Sequence, residues 1–236
     1  TIVTVSCLSN SQPYYEMLKL PAEQILFAYR QPAGADNYFS LDYVTAGEHL
    51  ARRALAQRPG HIGIFCEPLE YAHSACFIQA IQETCRTVSP QTKLTVLSSQ
   101  AGESNTVAFD FFRGVAPDIF ITQDSDKTRA VTQAAWFGSA QSCPPILQLS
   151  DNLPAAFDGV TNYQMDYGRL GTAIASHIRQ PKKQVTHRIL TNSGFSLDGQ
   201  SVQPPETEAT LNMLILPSPS TDALKKLLPH FYRQTG

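Results

Sequence analysis

Polar residues follow short apolar runs at five places in this chain. Asp42 and Tyr43 follow YFSL, Glu67 follows HIGIFC, and Ser98 and Ser99 follow KLTVL. Gln123 and Asp124 follow DIFIT, and Asp151 and Asn152 follow ILQLS. Such a mix of hydrogen-bond donors and acceptors suits recognition of a small polar ligand more than covalent chemistry. No GxGxxG follows a strand, and GxxxxGK[ST], GxSxG and HExxH do not occur. His73 and Cys76 have the three-residue spacing of a Cys–His pair on one helix. That spacing is common, and a core cysteine near a surface histidine is the reading adopted. Asp151 and Asn152 could equally cap the next turn, and Asp124 the N-terminus of the next helix.

The elements that must position these groups are legible between residues 37 and 68. YFSL alternates and ends at Asp42. Val44, Gly47, Leu50, Ala51, Ala54 and Leu55 then recur at spacings of three and four, one stripe of a helix. Pro59-Gly60 stops it, and HIGIF reads as a strand buried on both faces. Strand, helix and buried strand form the βαβ unit of a parallel sheet. Asp42 then lies at the carboxyl edge, where open α/β sheets bind ligands.

The same alternation runs on. Strands are predicted over 1–8, 25–28, 93–97, 118–121, 146–149, 188–190 and, as a short edge, 159–162. Helices are predicted over 13–20, 70–85, 104–113 (Ser104 as N-cap), 126–136 and 163–178, the last with Met165, Leu170, Ile174 and Ile178 inward. Residues 199–208 carry a Pro-Pro pair and read as a linker. A strand over 211–216 and a helix from Ser220 follow.

The 236 residues carry a formal net charge of −2 and only 16% charged residues. No basic face is evident, so the chain is not expected to grip DNA by itself. Five cysteines without a CxxC suggest free thiols and a reducing compartment. No leader and no apolar run near ~20 residues is seen, so a cytoplasmic protein without membrane contact is expected.

From Thr1 to about Leu197 the pattern resembles the effector-binding domain of the LacI/GalR family, the fructose repressor branch most. SLDYVTAGEHLARRAL, GHIGIF, DIFITQDSDKTRAV and PPILQLSDNLPAAF followed by VTNYQMDYGRLGTAIASHI carry the likeness in order. It implies an α/β fold of two Rossmann-like lobes with parallel sheets, the type I periplasmic-binding-protein-like arrangement, joined by three crossovers around a cleft. Against that template the first lobe is incomplete, with an open sheet edge, and the helix-turn-helix that binds DNA is absent. The expected organisation is a partial N-terminal lobe over 1–60 with crossover helix 163–178. A mainly C-terminal lobe over 61–198, a linker over 199–209 and a strand–helix tail over 210–236 complete it. That tail either begins another domain or covers the open edge.

The ligand-binding residues expected are Asp42, Tyr43, Phe77, Gln123, Asp151 and Asn152. By resemblance, Gln123 and Asp151 match positions where relatives hydrogen-bond the effector. Phe77 stands where relatives carry an arginine that forks onto the sugar or its phosphate. A phenylalanine can stack on a sugar but cannot bind phosphate. Arg30 matches a common family arginine, expected here to tie loops together. The function implied is effector sensing in a bacterial transcriptional regulator. A small sugar-like ligand would close the lobes and control DNA binding through a domain absent from this chain. A homodimer is implied by analogy; no catalysis, cofactor or metal is expected. The alternatives are a transport-type sugar-binding protein and a degenerate interaction module without a ligand.

Overall fold

Apolar runs bounded by turns become parallel strands, and the three-and-four patterns between them become covering helices. The structure, a computed structural model, describes residues 2–5, 10–100, 102–114, 117–137, 143–150, 159–179, 188–190 and 194–195. Thr1–Ser201 is one unit, and the fold described is its fold; Val202–Gly236 is a second unit, outside the described residues. The expected linker and tail therefore lie outside them.

The order is β1 (Ile2–Thr4), α1 (Gln12–Leu18), β2 (Ile25–Ala28), β3 (Tyr38–Leu41), α2 (Tyr43–Leu55), β4 (His61–Cys66), α3 (Ala72–Val88), β5 (Lys93–Ser98), α4 (Ser104–Phe112), β6 (Ile119–Thr122), α5 (Ser125–Phe137), β7 (Ile146–Ser150), β8 (Val160–Gln164), α6 (Tyr167–Arg179), β9 (Arg188–Leu190) and β10 (Gly194–Phe195). One sheet runs β1-β2-β3-β9 and is parallel throughout, with Phe27 opposite Tyr38 and Leu41 opposite Leu190. The other runs β10-β8-β7-β6-β4-β5, parallel except for β10 on β8. Among these elements the chain passes between the sheets three times: through α2, through α6, and from β9 to β10.

One apolar cluster reaches both sheets. It joins Leu26, Phe39 and Leu41 to Leu50 and Ala54 of α2 and to Ile62, Ile64 and Ile121. Each large side chain withdrawn from water contributes about 1.5–3 kcal/mol; α2 packs against β6 and β7 of the six-stranded sheet and shares this cluster with the apolar residues of the other sheet. β4 is buried at all six positions, as a strand flanked on both sides requires.

Several expectations are corrected. Val44 is 43% exposed, while Tyr43, Ala46, Gly47, Leu50 and Ala54 face inward. Ala51 and Leu55 are buried as well, so of the expected stripe Val44 alone faces solvent. Glu103, not Ser104, precedes the first turn of α4. Tyr163 belongs to β8, so the crossover helix begins at Tyr167, and Ile178 is exposed. β8 is not an edge, because β10 pairs outside it.

Gly63 allows β4 and β6 to pack as they do. A Cβ there would lie 2.5 Å from the Phe120 ring and 2.7 Å from Pro117 Cγ. Overpacking a tight core costs about 1–3 kcal/mol. Gly63→Ala is therefore expected to lower the urea unfolding free energy by that amount. An unchanged midpoint would contradict this packing.

Candidate functional site

Side chains that follow β2 and β4 meet at the carboxyl ends of the two sheets. Behind β2, Tyr29 takes a left-handed backbone (φ 70°). Its N–H donates to Phe39 O (2.9 Å), and the Arg30 N–H donates to Ala28 O (2.8 Å). A non-glycine residue is strained in this region, at a cost on the order of 1–3 kcal/mol. The turn aims Tyr29 and Arg30 at the other sheet. There, Glu67 follows β4 directly. Its N–H donates to Gln123 Oε1 (2.9 Å), and Gln123 follows the neighbouring strand β6. Ser74 Oγ lies 3.1 Å from Gln123 Oε1 and 3.0 Å from Nε2, so the amide is fixed at both ends.

The Glu67 carboxylate is the meeting point. One oxygen pairs with the Arg30 guanidinium, and the other lies 2.8 Å from His73 Nε2 on α3. Rings surround this triad. His73 lies 5.0 Å from the Tyr43 ring and 5.7 Å from that of Tyr71. The guanidinium stands 5.8 Å from the Tyr29 centroid and 5.7 Å from that of Tyr71, within cation–π range. Tyr167, at the start of α6, lies 5.7 Å from the Tyr29 ring, tilted by 44°.

Burial alone would push the Glu67 carboxyl up. The His73 hydrogen bond and the charges of Arg30, His73 and Lys127 outweigh it and hold the group below the usual carboxylate range. Burial works against the Arg30 charge, but Glu67 overcomes it and keeps the guanidinium above its ordinary value. Burial pushes the Tyr29 and Tyr43 hydroxyls up, so both stay protonated at neutral pH. The nearby Cys66 thiol is pushed up to about 12, chiefly by burial, which removes it as a nucleophile.

A second polar group stands at the same edge of the six-stranded sheet. Asp124 caps α5, accepting from the Lys127 N–H (2.8 Å). The Lys127 side chain is buried, with its ammonium 3.5 Å from Asp124 and 3.8 Å from Asp126. Ser104 Oγ donates to Asp126 (2.6 Å) and lies 3.0 Å from Ser99 Oγ. Ser104 therefore braces this cluster instead of capping α4.

Of the residues expected to bind a ligand, Tyr43 and Gln123 stand in the triad's surroundings. Asp42 caps α2: it accepts from the Thr45 N–H (3.0 Å) and from Thr45 Oγ1 (2.5 Å). Phe77 is withdrawn completely from solvent, so it cannot act as an exposed stacking wall. It packs in the seam between α2 and α3, where a Cβ on Gly47 would lie 2.7 Å from its carbonyl oxygen. Asp151 and Asn152 lie outside the described residues. The His73–Cys76 reading is reversed. The histidine is buried against Glu67 and the cysteine is exposed, because a carboxylate makes imidazole burial tolerable. Arg30 does tie loops together, but it does so across the two sheets. The sequence reading missed Tyr29, Tyr71, Tyr167 and the buried Lys127. A tyrosine directly after an apolar strand, as at Tyr29, was the available signal. Among the described residues no group of three or more His, Cys, Asp or Glu could hold a metal, and no helix is long and apolar enough to cross a membrane.

Three solved structures can be set beside this geometry. The Cra transcriptional dual regulator of Pseudomonas putida, in complex with fructose 1-phosphate, matches with a TM-score of 0.66 at 16% identity, over 81% of this chain and 75% of that one. The Caulobacter myo-inositol binding protein, bound to myo-inositol, gives 0.64 at 14%, over 80% and 71%. A LacI family transcription regulator from Clostridium acetobutylicum gives 0.59 at 13%, over 81% and 76%. The fold is periplasmic-binding-protein-like. Its two parallel sheets and three passages are those that the resemblance implied. No protein-family model and no curated protein sequence matches the chain.

The Glu67 ion pairs have a defined pH signature. A carboxyl held below its unfolded value adds stability that is complete above the unfolded pKa, about 4.3. That stability is lost as pH falls through the folded value. Asp124 is pushed the other way by burial, against Lys127. Glu67→Gln should therefore weaken the protein at pH 7 and flatten the acid limb of its stability curve below that pH range. Parallel acid limbs in urea titrations of the two proteins would contradict this.

Proposed function

We propose that this chain is the effector-sensing unit of a bacterial LacI-type transcriptional regulator. A small sugar-like molecule binds between the two sheets and stabilises one relative arrangement of them. The observation that carries the reading is the convergence of Tyr29, Arg30 and Tyr43 from one sheet with Glu67, His73 and Gln123 from the other. Donors, acceptors and aromatic faces from both sides at their carboxyl ends are what a ligand needs to couple two lobes. The fold neighbours named above bind a sugar phosphate and a cyclic polyol in proteins of the same architecture, which supports this ligand class. Asp151 and Asn152 remain candidate contacts at the end of β7. DNA would be bound through a domain outside this chain, and the protein would be a cytoplasmic homodimer.

A second reading has support of its own. Glu67 is already paired with both Arg30 and His73, and Phe77 is buried, which favours an interaction module that has lost its ligand. Ligand-dependent stabilisation separates the two. A ligand that binds only the folded chain adds about 2.7 kcal/mol at a hundredfold excess over Kd. Thermal unfolding with myo-inositol, fructose, ribose and other uncharged sugars is expected to show a concentration-dependent rise in Tm with at least one of them. A Tm unmoved by the whole panel would favour the module. Sedimentation equilibrium is expected to give a dimer mass, and a monomer at all concentrations would contradict the homodimer.

A further inference from the structure

The junction leaves two polar atoms unused. Arg30 Nε and His73 Nδ1 are buried and have no hydrogen-bond partner. His73 is 3% exposed, and its other nitrogen is committed to Glu67. An imidazole engaged with Glu67 through Nε2 leaves Nδ1 as a further hydrogen-bonding position. Arg30 Nε–H is a donor. A hydroxyl, which both donates and accepts, can meet either atom.

Charge points the same way. The Arg30 cation is matched by Glu67, and the Lys127 cation by Asp124 and Asp126. With Arg129, which also pairs with Asp126, three cations stand against three carboxylates, so each of these cations is already answered by a carboxylate. An anionic ligand would have to displace Glu67 from Arg30 and remain beside it. Like-charge opposition inside a desolvated site discriminates more strongly than a missing attraction does.

We propose that Glu67 is the specificity-determining residue of the junction: it occupies Arg30 as a built-in counter-anion and restricts the site to uncharged hydroxylated ligands, excluding phosphorylated ones. The proposal rests on the effector-binding reading for its ligand class. It also makes a claim about Glu67 that can be read without any sugar. Removal of the carboxylate frees a guanidinium flanked by two tyrosines and an imidazole, which is an anion site.

Inorganic phosphate is the probe, against chloride at equal ionic strength. The full chain, Glu67→Gln and Glu67→Met are compared by thermal unfolding, the last because it keeps volume without polarity. The unaltered chain is expected to gain nothing from phosphate. Both variants are expected to gain a saturable rise in Tm, corresponding to at least about tenfold tighter phosphate binding (1.4 kcal/mol). Adding Arg30→Met to either variant should abolish the gain. Phosphate stabilisation of the unaltered chain equal to that of the variants would overturn the proposal. So would the absence of a gain in both variants, or a gain that survives Arg30→Met. Failure of every uncharged sugar to stabilise the unaltered chain sinks the effector reading instead, and leaves the phosphate result to decide the role of Glu67.

Discussion

A carboxylate taken out of water must be met by donors, and in this molecule that requirement falls on Glu67. Its desolvation costs several kcal/mol unless partners are already in place. One partner, His73, stands on the helix that follows β4. The other, Arg30, comes from the end of a strand in the other sheet. The pairing of Glu67 with Arg30 is therefore also a contact between the two halves of the fold. The left-handed turn at Tyr29 makes sense in this light. Its strain is tolerated because the turn delivers both the cation and one of the rings that shelter it.

The surroundings of the triad follow from the same constraint. Tyr29, Tyr43, Tyr71 and Tyr167 partly screen the triad from water, which strengthens its electrostatic contacts. Gln123 holds the Glu67 backbone, and Ser74 holds Gln123, so the carboxylate has little freedom to move. Behind it, the buried Lys127 ammonium is answered by Asp124, with the more exposed Asp126 beside it. Beneath these groups lies β4, buried at every position and braced by the Gly63–Phe120 contact. Polar groups held on strand ends over such a floor are positioned rigidly, as ligand recognition requires.

Much of the scaffold was legible in the sequence because periodicity records burial directly. HIGIFC reads as a strand covered on both faces and is one. The stripe along 43–55 reads as a docking face and is one, apart from Val44. Asp124 as a helix cap was legible too, since capping depends on local spacing. What stayed hidden depends on contacts distant in sequence. Arg30 and Glu67 are 37 residues apart, and no local pattern links them. The burial of His73 depends on Glu67, so a reading confined to its own helix assigned it to the surface. Phe77, expected by resemblance at the ligand site, is fully buried beside Gly47, an environment set by how α2 and α3 pack rather than by any local pattern.

The account stands or falls on whether Arg30 and Glu67 act as one buried unit between the sheets. A double-mutant cycle in urea unfolding with Arg30→Met, Glu67→Gln and the double variant measures this directly. The account predicts a coupling energy above about 1 kcal/mol, as for residues in one ion-pair network. Effects that add within about 0.3–0.5 kcal/mol, as distant sites do, would contradict it.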